Sequence, residues 1–83
     1  MEPRTTINPA EGAHRMDAAQ LGATLRARRR ELNLTQSETA DLADISTRVL
    51  SDLENGRETV RLDILAAVAN ALGLSLNLTV QRP

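Results

Sequence analysis

Arginine is the residue type with the most evident chemistry in this 83-residue sequence. All ten basic residues are arginines, although the formal net charge is −1. Four of them lie between Arg26 and Arg30, and Arg57 and Arg61 form a second group beyond an acidic stretch. A guanidinium binds phosphate or carboxylate through two parallel N–H groups. Both groups are therefore candidate anion contacts, and a solvated helix face is the alternative for the first.

The residue types that catalytic sites require are missing or isolated. The absence of cysteine excludes thiolate zinc sites and cysteine-based nucleophilic or redox chemistry. The single histidine, His14, lies in a polar segment, so we expect no metal-binding or catalytic role for it. There is no nucleophile with a base, no metal cluster and no glycine-rich phosphate loop. The sequence therefore predicts a protein that is not an enzyme and has no cofactor.

The size and hydrophobicity of the chain indicate one small domain. With 41% hydrophobic residues and no aromatic residue, helix packing or oligomerisation must supply its stability. No run approaches the ~20 apolar residues of a membrane helix, and the N-terminus lacks the apolar core of a signal peptide. We expect a cytoplasmic location without membrane contact.

The elements that must position the arginines are predicted to be helices. Residues 1–16 are polar and aperiodic and are predicted to form a flexible arm. Asp17, with Gln20 three residues later, predicts the start of a first helix. Its apolar residues recur on one face and are Leu21, Leu25 and Leu32.

Two short helices are predicted next, with about two residues between them. Thr35-Gln36-Ser37-Glu38 is a capping-box pattern, so Thr35 opens a helix that runs to Ala43. Ser46 caps the following helix, which ends at Asn55, where Gly56 supplies a left-handed conformation. The residues predicted to face the core are Ala40, Leu42 and Ala43 in the first helix, and Val49, Leu50 and Leu53 in the second. In helix-turn-helix proteins the second helix enters the DNA major groove, and its N-terminal residues reach the base edges.

The last part of the chain changes its hydrophobic period from that of a helix to that of a strand. A fourth helix, ending at Gly73, is predicted from inward-facing residues that are Leu62, Leu65, Val68, Ala69 and Leu72. Beyond it, every second residue is apolar, namely Leu74, Leu76, Leu78 and Val80. A lone strand cannot satisfy its backbone hydrogen bonds, so a second copy is the simplest partner. A frayed end, or pairing with a different protein, is the alternative.

The segment LTQSETADLADISTRVLSDLENG, residues 34–56, resembles the Cro and lambda-repressor superfamily, often called the Xre family. Within it, the SLNLTV tail is similar to that of the HipB-type antitoxins, whose C-terminal strands pair in a homodimer. The resemblance implies a mainly α fold, a four- to five-helix lambda-repressor-like DNA-binding domain with a C-terminal β-strand pairing across a homodimer. Its divisions are an arm at 1–16, a helix-turn-helix domain at 17–73 and a dimerisation strand with tail at 74–83.

The resemblance also implies a role for each matched position. Thr47 and Arg48 would lie nearest the bases, and Arg29 would pair with Glu54 and face the DNA backbone. The full set of implied DNA-binding residues is Gln36, Ser46, Thr47, Arg48, Ser51, Asp52, Asn55, Arg57 and Arg29. Three residues depart from the family pattern: Asp52 is acidic, Thr39 replaces a core leucine, and Asp44 replaces a turn glycine. Asp52 can accept a hydrogen bond from a cytosine amino group, but it repels phosphate.

These features predict a homodimeric transcriptional repressor that binds an inverted-repeat operator in double-stranded DNA. Membership of the HipB type would add an antitoxin role: a HipA-type kinase would be the toxin partner, and the pair would autoregulate its operon. A stand-alone Xre-family regulator without a toxin is the alternative. A third hypothesis, a protein-interaction module without DNA binding, is favoured only by the net charge and by Asp52.

Overall fold

A computed structural model describes residues 17–57 and 59–77 of the chain. Within these residues the chain is mainly α, as the capping pattern predicted. The described helices are α1 (Ala18–Glu31), α2 (Gln36–Ala43), α3 (Thr47–Glu54) and α4 (Leu62–Ala71). None of these helices has the length and apolarity needed to cross a membrane. The predicted arm at 1–16 lies outside the described residues.

Side-chain caps set where the first three helices begin. The Asp17 carboxylate accepts from the Gln20 amide at 2.8 Å, and the Ser46 hydroxyl accepts from the Val49 amide at 3.1 Å. Thr35 forms a reciprocal capping box: its hydroxyl accepts from the Glu38 amide, and the Glu38 carboxylate accepts from the Thr35 amide. Each cap satisfies a backbone N–H that the helix itself leaves without a partner. All three predicted helix starts are confirmed.

The described helices all end on a residue in the left-handed conformation. The four residues and their φ angles are Asn33 (58°), Asp44 (60°), Gly56 (72°) and Gly73 (72°). After α1, for example, the Leu34 amide donates to the Arg29 carbonyl at 3.0 Å, which closes the last turn. The sequence predicted the left-handed residue at Gly56 and the helix end at Gly73, and both are confirmed.

The hydrophobic core is formed where the four described helices pack against one another. Helix α1 packs against α3, and α2 packs against both α3 and α4. The core cluster consists of Leu25, Ala40, Ala43, Leu50, Leu53, Leu65, Val68 and Leu72. Because each short helix buries only one stripe, the opposite side of α3 remains uncovered.

Four apolar residues of the predicted helices are exposed rather than buried. They are Leu32 (38% exposed), Leu42 (62%), Val49 (39%) and Leu62 (73%). On α2, the inward stripe runs through Thr39, Ala40 and Ala43, so Leu42 falls beside it rather than on it. Leu62 stands in the first turn of α4, before the helix reaches the core.

The part of the predicted C-terminal strand that the structure describes, residues 74–77, does not form a strand in the single chain. Residues 74–77 have no strand pairing, and Leu78 and Val80 lie outside the described residues. Leu74 packs half-buried against the core, while Leu76 is 46% exposed. Pairing of this segment with a second copy therefore stays a prediction.

Candidate nucleic-acid interface

Helix α3 has one buried side and one polar, accessible side. Leu50 is fully buried and Leu53 is 7% exposed, which fixes the inner side against the core. The outer side carries the polar residues that the sequence singled out, namely Thr47, Arg48, Ser51 and Asp52. Thr47 and Arg48 are exposed, and Ser51 and Asp52 are half-buried. The accessible side thus presents hydroxyl, guanidinium and carboxylate groups along one helix.

The start of α3 is fixed by Ser46. Its hydroxyl is the N-cap acceptor for the Val49 amide, so its first role is structural. Residue 46 is nevertheless exposed. It lies at a helix N-terminus, where free backbone N–H groups and the helix dipole favour an anion such as phosphate.

A buried ion pair joins the inner side of α3 to α1. Arg29 Nε donates to Glu54 Oε2 at 2.7 Å, and Arg29 Nη2 donates to Glu54 Oε1 at 3.0 Å. Glu54 is 4% exposed and Arg29 is 9% exposed. The third guanidinium nitrogen, Nη1, donates to the Leu34 carbonyl at 2.9 Å. The predicted Arg29–Glu54 pair is confirmed, and all three guanidinium nitrogens of Arg29 donate within the fold.

Gln36, at the start of α2, belongs to the same network. Its Nε2 donates to Glu54 Oε1 at 3.0 Å, so one carboxylate connects α1, α2 and α3. Burial opposes ionisation of Glu54, but the hydrogen bonds from Arg29 and Gln36 and the charge of Arg29 outweigh it. The pKa of Glu54 therefore lies below its ordinary value. The hydrogen bond that Arg29 donates to Glu54 raises the pKa of Arg29.

The basic run at 26–30 is not a uniform charged surface. Arg26 Nη2 donates to the Asn55 Oδ1 at 2.9 Å, which holds the side chain at the C-terminus of α3. Arg28 Nε donates to the Leu72 carbonyl at 2.9 Å, where a cation also complements the C-terminal dipole of α4. Arg30 is exposed. Most arginines of this run therefore bind groups at the C-terminal ends of other helices, a role that the sequence did not predict.

Arg57 and Asp52 form an ion pair on the accessible side of the domain. Arg57 Nε lies 3.5 Å from Asp52 Oδ1, and the two side chains are 71% and 47% exposed. Among the described residues, Arg57 is the ion-pair partner of Asp52. The pair offsets the negative charge that Asp52 brings to this surface.

Gly22 lets α1 approach the C-terminus of α3. A Cβ at this position would lie 2.5 Å from the Leu53 carbonyl oxygen and 2.6 Å from that of Glu54. Such distances are far below van der Waals contact, so only glycine fits here without a shift of the backbone. In the sequence, the one signal for this role is a glycine inside an alanine-rich helix.

The geometry described so far is that of a helix-turn-helix domain, and comparison with known proteins agrees. The family described as helix-turn-helix matches residues 25–78. The chain is 37% identical over 60 residues to the HTH-type transcriptional regulator y4mF of Sinorhizobium fredii, covering 72% of this chain and 79% of that protein.

Two solved structures share the fold. The clp gene regulator ClgR of C. glutamicum is 41% identical with a TM-score of 0.67, over 71% of this chain and 76% of that one. A complex of a HipB variant with an O2 20mer has a TM-score of 0.70 at 21% identity, over 98% of this chain and 100% of that one. The second likeness is one of fold.

The chain belongs to the helix-turn-helix family, of the Xre type that its sequence resembles. This is a family of DNA-binding transcriptional regulators, in which α2 and α3 are the helix-turn-helix pair.

Proposed function

We propose that the chain is a homodimeric transcriptional repressor that binds an inverted-repeat operator in double-stranded DNA. The observation that carries this proposal is the two-sided α3: its inner side is fixed by Leu50 and Glu54, and its outer side is polar and accessible. A B-DNA major groove is ~12 Å wide and admits one helix. Thr47 and Arg48, in the first turn of α3, then lie nearest the base edges.

Phosphate contacts would surround this helix. Gln36 stands at the N-terminus of α2, and Ser46 at that of α3, where a phosphate is favoured. Asn55 and Arg57 follow the C-terminus of α3, beside Ser51 and Asp52 on the last turn. Because its guanidinium donates to Glu54 and Leu34, we propose that Arg29 acts mainly by holding Gln36 and α3 in position.

Salt dependence tests whether the chain binds DNA at all. Each phosphate neutralised by an arginine releases counterions, so affinity falls as salt rises, with a slope of about −0.9 per contact. We expect a steep slope for a duplex, measured by fluorescence anisotropy between 50 and 200 mM salt. A chain that shows no salt-dependent retention of any duplex would instead be a protein-interaction module.

Dimerisation through residues 74–83 is the second part of the proposal. The alternating leucines support it, and the 46% exposure of Leu76 in the single chain leaves an apolar side chain for a partner to cover. Removing residues 75–83 is expected to give a folded monomer with much weaker operator binding, because two linked half-sites bind far more tightly than one. Light scattering checks this, and a truncated chain that remains dimeric would contradict strand pairing.

An antitoxin role within a HipBA-type pair is the third part. It is supported by the similar tail sequence and by a likeness of fold to HipB that covers nearly the whole of both chains. We expect the tagged chain, purified from its native host, to bring down a HipA-type kinase encoded beside it. Recovery of the chain with DNA alone would favour a stand-alone Xre-family regulator that represses without a toxin.

A further inference from the structure

We propose that Asp52, with Val49 beside it, reads one cytosine in each half-site, and that Arg57 moves from Asp52 to a phosphate when this cytosine is present. The inference rests on the proposed insertion of α3 into the major groove and specifies which base pair its second turn selects. It concerns two residues outside the hydrophobic core: Val49 is 39% exposed and the Asp52 side chain is 47% exposed.

Val49 and Asp52 lie together on one edge of α3. They are three residues apart in a helix, which places their Cβ atoms about 5–6 Å from each other. Both line a cleft of about 180 Å³ that opens between α3 and the segment leading into α4. Leu53 and Ile64 contribute apolar surface to the cleft, and Arg57 also lines it. A carboxylate and a methyl-bearing surface therefore sit next to each other at the accessible edge of the helix.

This pairing matches the major-groove edge of cytosine. Cytosine presents an N4 amino donor beside an apolar C5 position, whereas thymine presents an O4 acceptor beside a C5 methyl group. An ionised carboxylate only accepts hydrogen bonds, so Asp52 gains a bond from cytosine and meets a repelling oxygen on thymine. Arg48, one turn earlier, offers the guanidinium fork that suits the guanine O6 and N7 atoms.

The Arg57–Asp52 ion pair couples the choice of base to a phosphate contact. Its atoms are 3.5 Å apart and solvent reaches both side chains, so the pair is weak and easily exchanged. Near DNA without the cytosine, Arg57 must stay to offset the carboxylate, since Asp52 would otherwise face phosphates unpaired. When cytosine N4 donates to Asp52, the carboxylate keeps a hydrogen-bond partner and Arg57 exchanges Asp52 for a phosphate. A correct base thus replaces one exposed ion pair by two contacts with the DNA, whereas a wrong base leaves the ion pair in place.

Selection from a random duplex library, followed by sequencing, tests the proposal. The wild-type motif is expected to contain one fixed cytosine per half-site whose preference disappears in Asp52→Ala. In Asp52→Asn the same position is expected to shift to adenine, which an amide contacts through N6 and N7. Asp41→Asn, which removes an exposed carboxylate from α2, is the matched charge control and should select the wild-type motif.

Three duplexes that differ only at the selected cytosine separate the contact made by Asp52 from the contact made by Val49. Replacing cytosine by thymine is expected to weaken wild-type binding about tenfold, within the range of a single mismatched base pair. 5-Methylcytosine should bind at least as tightly as cytosine, because it keeps the N4 donor and adds a methyl group against Val49. In Asp52→Ala the cytosine–thymine difference should fall below about twofold.

The outcomes distinguish this inference from the proposed function. Thermal unfolding of each variant first establishes that it is folded, as expected for an outward-facing residue. If a motif is selected but Asp52→Ala selects the same one, the reading of cytosine by Asp52 is wrong while DNA binding stands. If no duplex is bound in a salt-dependent manner, both the proposed function and this inference are wrong.

Discussion

Each side of α3 carries an acidic residue paired with an arginine, but one pair is buried and the other is exposed. On the inner side, Glu54 is buried and receives hydrogen bonds from Arg29 and Gln36 at 2.7–3.0 Å. On the outer side, Asp52 lies 3.5 Å from Arg57, and both side chains are exposed to solvent. The inner pair is a fixed junction of three helices, whereas the outer pair is weak enough to exchange partners.

This difference shows that charge alone does not mark a binding surface. The arginines at 26–30 form the densest basic run in the sequence, yet three of them bind Asn55, the Leu72 carbonyl and Glu54. We propose that stability and recognition are divided between opposite sides of this eight-residue helix. The division is testable, because substitutions on the inner side should change folding and those on the outer side should change binding.

Glu54→Ala should have the largest effect on the inner side. Removing one partner of a buried ion pair leaves Arg29 without its counter-charge, which typically costs about 3–5 kcal/mol. Since small domains have about 5–15 kcal/mol in total, the variant should unfold at much lower urea concentration. Glu31→Ala, which breaks an exposed pair with Arg28 at 3.3 Å, is the control and should cost less than about 1 kcal/mol.

Gly22→Ala tests the close approach of α1 to α3. Helix propensity alone predicts that alanine stabilises α1 by about 1 kcal/mol. The added Cβ would instead meet two backbone oxygens at 2.5 and 2.6 Å, so we expect a net loss of about 1–3 kcal/mol. The sign of the change in the free energy of unfolding decides between the two, and Thr24→Ala on the exposed face of α1 supplies the propensity control.

Acid should weaken the inner side through Glu54. Its pKa in the folded chain lies below the ordinary value, so the ion pair contributes its full stability above the unfolded-state pKa of about 4.3. That contribution is lost as the pH falls through the folded pKa. We therefore expect stability to drop below about pH 4–5, measured by urea unfolding at a series of pH values. A Glu54→Gln variant with the same acid-induced loss would show that other groups are responsible.

Thr39→Val should have the smallest effect, and in the opposite direction. Thr39 is fully buried, and its hydroxyl has no hydrogen-bond partner among the described residues. Valine has nearly the same shape without the polar group, so we expect the variant to be about 1 kcal/mol more stable. A lower melting temperature for Thr39→Val would indicate that the hydroxyl has a partner in solution.

The sequence predicted where the helices begin more accurately than which of their faces are buried. Asp17, Thr35 and Ser46 have side chains that cap a helix locally, so helix starts follow from neighbouring residues. Which side of a short helix is buried depends on distant elements, and for that reason Leu42 and Val49 were wrongly placed in the core. The Arg29–Glu54 pair was predicted because its positions match a family pattern. Arg26, Arg28 and Gly22 act through partners 29 to 44 residues away or through backbone contacts, which no local pattern indicates.

The central claim is that the outer side of α3 recognises bases while the inner side maintains the fold. The most direct test measures the affinity of wild type and Arg48→Ala for the selected operator and for a scrambled duplex at one salt concentration, together with the free energy of unfolding. We predict an unfolding free energy within about 0.5 kcal/mol of wild type and a fall of about tenfold in the operator-to-scrambled affinity ratio. An equal loss of affinity for both duplexes, or no loss for either, would contradict the claim.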